Sequence, residues 1–190
     1  RDKAGPNGIS DRYLDFRARF GDPAARPRPY AYAVPFGVGQ ERRVMQGFHG
    51  AFSHRGSNEH AVDFSCPEGT PVLATREGIV VAAHAGAVSN GTAPELQDYH
   101  HTNFIVVQHD DGTFGEYMHL APSGVRVRAG ERVVRAQYIA LSGNTGYSTT
   151  PHLHFQVMTA APNGRDAQSF RFELQVAPGR SEAPVTGKAY

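Results

Sequence analysis

The sequence of 190 residues contains a single cysteine, Cys66, and no tryptophan. One cysteine cannot form an internal disulfide, and no cysteine pair is available for a zinc knuckle. We expect Cys66 to be a small apolar side chain in the core. A metal site would therefore have to be built from histidine, aspartate and glutamate, and the ten histidines make such a site feasible.

The sequence also lacks a strong net charge and a long apolar run. A formal charge of +1 gives no strong field that would select nucleic acid or an anionic membrane, so we expect neither as a partner. No apolar stretch approaches the ~20 residues of a transmembrane helix, so we expect no integral membrane segment. Because the chain begins at Arg1 rather than at methionine, we expect a processed or trimmed product.

The chain has many turn residues, with 21 glycines and 13 prolines, which favours short elements over long helices. Short apolar and alternating segments predict a mostly β fold of antiparallel sheets. The predicted strands cover residues 14–20, 30–34, 60–64, 72–75, 78–82, 104–108, 114–120 and 170–176. Asp111-Gly112 predicts a hairpin turn, on which His109 would lie. We expect an N-terminal arm at 1–45 that packs on a domain over 46–190.

Two histidines in the stretch that follows Gly143 and Gly146 are the most informative feature. His152 and His154 are separated by one residue in a segment typical of a strand that leaves a turn. Alternate side chains of a strand share a face, so both imidazoles point the same way, about 6.5–7 Å apart at their roots. One could bind a metal while the other reaches a substrate or water.

Two further regions carry candidate ligands, the stretch from His54 to Asp63 and the single His119. Zinc takes three or four ligands, and two histidines with one carboxylate leave a position open for water. A nearby imidazole that does not bind the metal can then take or deliver protons near neutral pH.

Four separated motifs resemble the lysostaphin-type zinc endopeptidases that act on peptidoglycan. In chain order these are Ala61-Val62-Asp63-Phe64, Glu68-Gly69-Thr70-Pro71-Val72, Tyr117-Met118-His119-Leu120, and the run from Ser142 through Ser148 to Pro151-His152-Leu153-His154-Phe155. The resemblance covers roughly residues 46–158. It implies antiparallel sheets that form a sandwich or roll, with an open groove over the metal.

The resemblance also implies roles for individual residues. Asp63, His154 and a histidine upstream of Asp63 would bind Zn²⁺, and His119 and His152 would act on substrate and water. The implied activity is hydrolysis of peptide bonds in the cross-links or stem peptides of peptidoglycan. That substrate lies outside the cytoplasm, so the resemblance implies export to the periplasm, cell envelope or medium. We expect the protein to be a monomer.

The first metal ligand departs from the commoner form of the family, which has histidine four residues before the aspartate. Here that position is Glu59, with His60 next to it and His54 further upstream. A subset of the family is similar in carrying a Ser-His element, which Ser53-His54 matches. On a regular strand His60 and Asp63 would face opposite sides. We therefore expect His54 to be the ligand, with His60 as the alternative and Glu59 as a further one.

Two other kinds of protein fit parts of the sequence. One is a non-catalytic module of the same fold that binds peptidoglycan or activates other hydrolases. The other is a structural metal domain, but that would need four protein ligands and no additional accessible histidine. The presence of both His119 and His152 beside the three expected ligands favours the enzyme.

Overall fold

A computed structural model describes residues 21–160 and 167–190. Within these residues the chain forms strands and short 3₁₀ helices, with no α-helix. The strands are β1 (Ala31–Ala33), β2 (Val44–Gln46), β3 (Val62–Ser65), β4 (Pro71–Leu73), β5 (Gly78–His84), β6 (Asn90–Gly91), β7 (Phe104–Gln108), β8 (Phe114–Met118), β9 (Leu120–Val125), β10 (Arg132–Val133), β11 (Tyr138–Ser142), β12 (Gly146–Tyr147), β13 (His152–Thr159), β14 (Gln168–Ser169), β15 (Glu173–Ala177) and β16 (Arg180–Glu182). The 3₁₀ helices are Gly56–Asn58, Pro94–Gln97 and Tyr99–His101. The predicted mostly β fold is confirmed.

An eight-stranded antiparallel sheet organises the molecule, in the order β10-β5-β7-β8-β13-β3-β2 with β14 beside β13. The eight-residue strand β13 lies inside the sheet, between β8 and β3. Its neighbours hold it along most of its length, which fixes the register of every side chain that it carries.

The two faces of this sheet have different chemistry. Leu153, Phe155 and Val157 of β13 belong to the hydrophobic core, together with Phe64 and Tyr117 from the neighbouring strands. Residues of the sheets β4-β11-β9 and β1-β15-β16 join the same core, so these smaller sheets pack on this face. The alternate residues of β13 therefore point to the opposite face, where the polar side chains lie.

Several predicted elements are found with small changes in their bounds. The strand at 104–108 and the hairpin at Asp111-Gly112 are confirmed, and the return strand ends at Met118. The segment 30–34 contains β1, which pairs in parallel with β15 from the other end of the chain. The predicted strand at 14–20 lies outside the described residues, and the division of the chain at residue 45 stays a prediction.

Two expectations about single side chains have different outcomes. Cys66 is buried as predicted. His109 does lie next to the hairpin, but it is buried rather than at the surface, with its Nδ1 2.8 Å from the carbonyl oxygen of Glu77. Among the described residues, none of the helices could span a lipid bilayer.

Candidate metal centre

Asp63 and His154 face each other across the antiparallel pair of β3 and β13. They are direct partners in the register, and Asp63 Oδ1 lies 2.9 Å from His154 Nδ1. Both side chains lie on the polar face of the large sheet and both are buried. The strands themselves therefore set the distance between this carboxylate and this imidazole.

His54 approaches the same carboxylate from a loop rather than from a strand. Its backbone N–H donates to the carbonyl of Gly50, and its Nδ1–H donates to the carbonyl of Gly47 at 2.8 Å. Because Nδ1 carries the proton in that bond, Nε2 is left with a lone pair. Nε2 lies 3.1 Å from Asp63 Oδ2 without hydrogen-bond geometry.

The donor set of these three residues fits a zinc ion. His54, Asp63 and His154 each offer one ligand atom, and these atoms lie within 4.8 Å of one another. The lone pair on His54 Nε2 is buried and has no hydrogen-bond partner among the described residues, which is the state of a nitrogen arranged for a metal. Two imidazole nitrogens and one carboxylate oxygen leave at least one coordination position open.

The charges in this cluster depend on one another. Burial by itself raises the pKa of Asp63, but the close imidazoles of His154 and His54 outweigh it and hold the pKa well below its ordinary value. Burial lowers the pKa of His154, and Asp63 more than compensates, so the pKa of His154 is raised overall. The carboxylate is therefore ionised at neutral pH, as a metal ligand has to be.

His152 lies on the same face of β13, at the edge of the cluster. Its Nε2 is 3.8 Å from Asp63 Oδ1, and its Nδ1–H donates to the carbonyl of Thr150 at 2.7 Å. Ser148 Oγ lies 3.2 Å from the same Nδ1. These contacts hold the ring with its Nε2 lone pair toward the site.

His119 is placed by a break between β8 and β9. Its backbone φ is +61°, which is rare for a residue other than glycine. Its Nδ1–H donates to the carbonyl of Thr145 at 2.7 Å, which leaves the Nε2 lone pair free of that bond. The ring centroid lies 4.5 Å from that of His152 and 5.9 Å from that of His154. A strained backbone at such a position is common in functional sites.

Burial keeps both of these outer imidazoles neutral. Burial and the nearby imidazoles of His152 and His154 lower the pKa of His119 to about 3. Burial likewise lowers the pKa of His152. In each ring, Nδ1–H therefore donates a hydrogen bond to a backbone carbonyl, and Nε2 is able to accept a proton.

The alternative ligands lie away from the cluster. β3 begins at Val62, so His60 precedes the strand, and the parity argument that placed it on the strand does not apply. Its backbone N–H donates to Ser169 Oγ, and its ring packs edge-on against Phe48. The exposed Glu59 pairs with His49 at 3.0 Å. The structure brings His54, and neither His60 nor Glu59, next to Asp63.

Gln46 also belongs to the site, although we did not identify it as a candidate from the sequence. It lies on β2 opposite Asp63 and donates from Nε2 to Asp63 Oδ2 at 3.0 Å. Its Oε1 accepts from the backbone N–H of Phe52, so it also holds the loop that carries His54. The carbonyls of Thr145 and Thr150 were missed as well, because backbone groups leave no mark in a sequence.

Comparisons with known proteins agree with this geometry. The model of peptidase family M23 matches residues 57–168, which is more than half of the chain. The glycyl-glycine endopeptidase ALE-1 of Staphylococcus capitis is 41% identical over 113 residues, which cover 60% of this chain and 28% of that protein. The peptidoglycan DD-endopeptidase ShyA of Vibrio cholerae is 32% identical over 118 residues, which cover 62% of this chain and 24% of that protein.

A solved structure gives the same answer. Lysostaphin from Staphylococcus simulans matches with a TM-score of 0.50 and 33% identity, covering 67% of this chain and 47% of that one. The chain spans less than a third of the length of the two curated relatives. The family match includes Asp63, His119, His152 and His154, and His54 lies just before it. The chain therefore belongs to peptidase family M23.

Proposed function

We propose that this chain is a zinc-dependent endopeptidase that hydrolyses peptide bonds in bacterial peptidoglycan. The observation that carries the proposal is the gathering of His54, Asp63 and His154 at one point, with two neutral imidazoles beside them. The endopeptidase names of the relatives support the substrate class. Peptidoglycan lies outside the cytoplasm, so we also propose that the protein is exported and acts there as a monomer.

Each residue would have a distinct part in the reaction. His54, Asp63 and His154 would hold the metal. When bound, zinc supplies a Lewis acid that polarises a carbonyl and lowers the pKa of water toward ~7. His119 and His152 would orient the attacking water, accept its proton and donate a hydrogen bond to the tetrahedral oxyanion.

The arrangement of the two outer imidazoles supports these roles. Their Nδ1–H groups are held by the carbonyls of Thr145 and Thr150, so Nε2 is the acceptor in both. A neutral imidazole can take a proton during the reaction, whereas a permanently protonated one could not. Once Nε2 has taken that proton, it can pass the proton to the leaving amine.

Two measurements test the proposal. The zinc content and the release of muropeptides from purified walls are compared for the wild type, His54→Ala and His60→Ala. We expect stoichiometric zinc and hydrolysis in the wild type and in His60→Ala, and loss of both in His54→Ala. Loss in His60→Ala alone would contradict the ligand set. A wild type that holds no zinc and releases nothing from several wall types would indicate a non-catalytic binding or activating module.

A further inference from the structure

Besides His54 Nε2, two buried polar atoms next to the metal centre have no hydrogen-bond partner among the residues that the structure describes. They are His154 Nε2 and Gln156 Oε1. The two residues are separated by one position on β13, so their side chains lie on the same face. Leaving either atom unpaired in the interior costs free energy.

The orientation of the Gln156 side chain follows from its other contacts. Its Nε2 donates to Glu116 Oε2 at 2.6 Å and to Asn58 Oδ1 at 3.3 Å. Both partners are oxygens, so the amide nitrogen faces them and the amide oxygen is left over for another donor. The assignment of nitrogen and oxygen in this amide therefore rests on two independent contacts.

Glu116 gives this amide a rigid support. It is the direct partner of Gln156 across β8 and β13, and it is buried. Its second carboxylate oxygen accepts from the hydroxyl of Tyr99 at 3.1 Å. The carboxylate is thus held from the 3₁₀ helix Tyr99–His101 on one side and from β13 on the other.

A ligand role for His154 determines what its Nε2 has to do. Nδ1 is the nitrogen that faces Asp63, so it is the one that would bind the metal through its lone pair. The ring proton then sits on Nε2, which becomes a buried donor. Histidines that bind metals almost always donate this second N–H to an acceptor, and that acceptor fixes the ring.

We propose that Gln156 is a positioning residue for the metal centre, which accepts the Nε2 proton of His154 through its amide oxygen. Glu116, itself held by Tyr99, fixes the amide nitrogen and leaves the amide oxygen available. Neither atom makes this bond in the structure, and it would form with the metal in place. The inference rests on the proposed function, because it assigns a partner to the proposed ligand His154. Through Gln156 and Glu116, the metal centre would be connected to the 3₁₀ helix that carries Tyr99.

Zinc affinity tests this inference without a measurement of hydrolysis. Zinc dissociation constants are measured on purified protein by competition with a chromogenic chelator, and the cobalt-substituted proteins are compared by visible absorption. We expect Gln156→Leu to weaken zinc binding about 10–100-fold and to shift the cobalt bands, because the acceptor is lost. The double variant Glu116→Gln/Gln156→Glu exchanges carboxylate and amide, so an acceptor faces His154 again and we expect affinity near that of the wild type.

Val106→Ala is the matched control. Val106 is the register partner of Glu116 on β7 and is buried, so the substitution removes packing beside Glu116 without removing a polar atom. We expect this variant to keep the zinc affinity and the cobalt spectrum of the wild type. Circular dichroism of each metal-free variant checks that the fold is retained.

The outcomes separate this inference from the proposed function. Wild-type zinc affinity in Gln156→Leu would overturn the inference alone. A loss of zinc affinity that the double variant Glu116→Gln/Gln156→Glu fails to restore would also overturn it. So would an equal loss of zinc affinity in Val106→Ala, because both results would indicate a packing role for Gln156. A wild type that binds no zinc would overturn both proposals.

Discussion

Asp63 Oδ1 lies 2.9 Å from His154 Nδ1, and the two residues are direct partners on neighbouring antiparallel strands. The central contact of the site is therefore a consequence of sheet register. A shift of one residue would turn either side chain into the hydrophobic core on the opposite face, so hydrophobic burial of Phe64 and Phe155 protects the polar contact as well. Only the third donor, His54, depends on a loop.

Replacement of His154 by alanine is expected to remove the metal and the activity together. The substitution deletes one of the three donors and leaves only His54 and Asp63 to hold the metal. Zinc content is measured after dialysis, with muropeptide release assayed on the same samples. His100→Ala, at an exposed histidine of the 3₁₀ helix Tyr99–His101, serves as the control and is expected to keep both properties. Stoichiometric zinc in His154→Ala would remove His154 from the ligand set.

Replacement of His119 by alanine is expected to separate the metal from the activity. His119 contacts the rings of His152 and His154, but it is not among the three donors. Loss of one acid–base group typically costs about 10²–10⁴-fold in rate. We expect full zinc content and a turnover number lowered by that factor. An unchanged turnover number would exclude His119 from the reaction.

A methyl group added at Gly146 is expected to disturb the placement of His119. Gly146 has a φ of +83°, and a Cβ there would lie 1.9 Å from Thr102 Oγ1. The neighbouring Thr145 supplies the carbonyl that holds His119, so a shift of this segment would move the imidazole. We expect Gly146→Ala to lower the turnover number by more than tenfold while zinc is retained.

Gly130→Ala is the control for the strained backbone. Gly130 has a φ of +88°, but a Cβ there would meet nothing within 4 Å. The left-handed backbone alone costs about 1–2 kcal/mol for an alanine. We expect this variant to lose stability by that amount in denaturant unfolding and to keep its turnover number. Equal activity in the two alanine variants would contradict the role given to the Gly146 contact.

The part of the site that could be predicted from sequence is the part that depends on local spacing. The separation of His152 and His154 by one residue fixes their common face, because side chains alternate along any strand. The ends of the strands were predicted less well than their positions. For example, β3 begins at Val62 rather than at His60. The parity argument therefore favoured His54, the histidine that the structure places beside Asp63, but it did so from an incorrect position of His60.

Contacts between distant parts of the chain could not be predicted in the same way. Gln156 meets Glu116 because β8 and β13 are neighbours in one particular register, and neither residue carries a local signal of this pairing. Asp63 meets Gln46 for the same kind of reason across β2 and β3. The prediction for His109 was only that it lies on a hairpin, and its burial against Tyr32 of β1 carries no local signal in the sequence.

The burial of His109 leads to a pH dependence of stability that does not involve the metal centre. Burial lowers the pKa of His109 to about 4, against ~6.5 in an unfolded chain. As the pH falls below the unfolded value, the unfolded chain binds a proton that the folded protein does not. The free energy of unfolding therefore falls between about pH 6.5 and pH 4, by about 3 kcal/mol at most from this group.

His109→Asn is expected to remove most of this pH dependence. The amide of asparagine can donate to the carbonyl of Glu77 in place of Nδ1, but it does not titrate in this range. Unfolding by denaturant is measured at pH 7 and pH 4.5 on both proteins with excess chelator, so that metal release does not contribute. The other groups that titrate are common to both, so the difference between the two proteins isolates His109. We expect the wild type to lose about 2 kcal/mol more than the variant between these pH values, and equal losses would show that His109 becomes protonated in the folded protein.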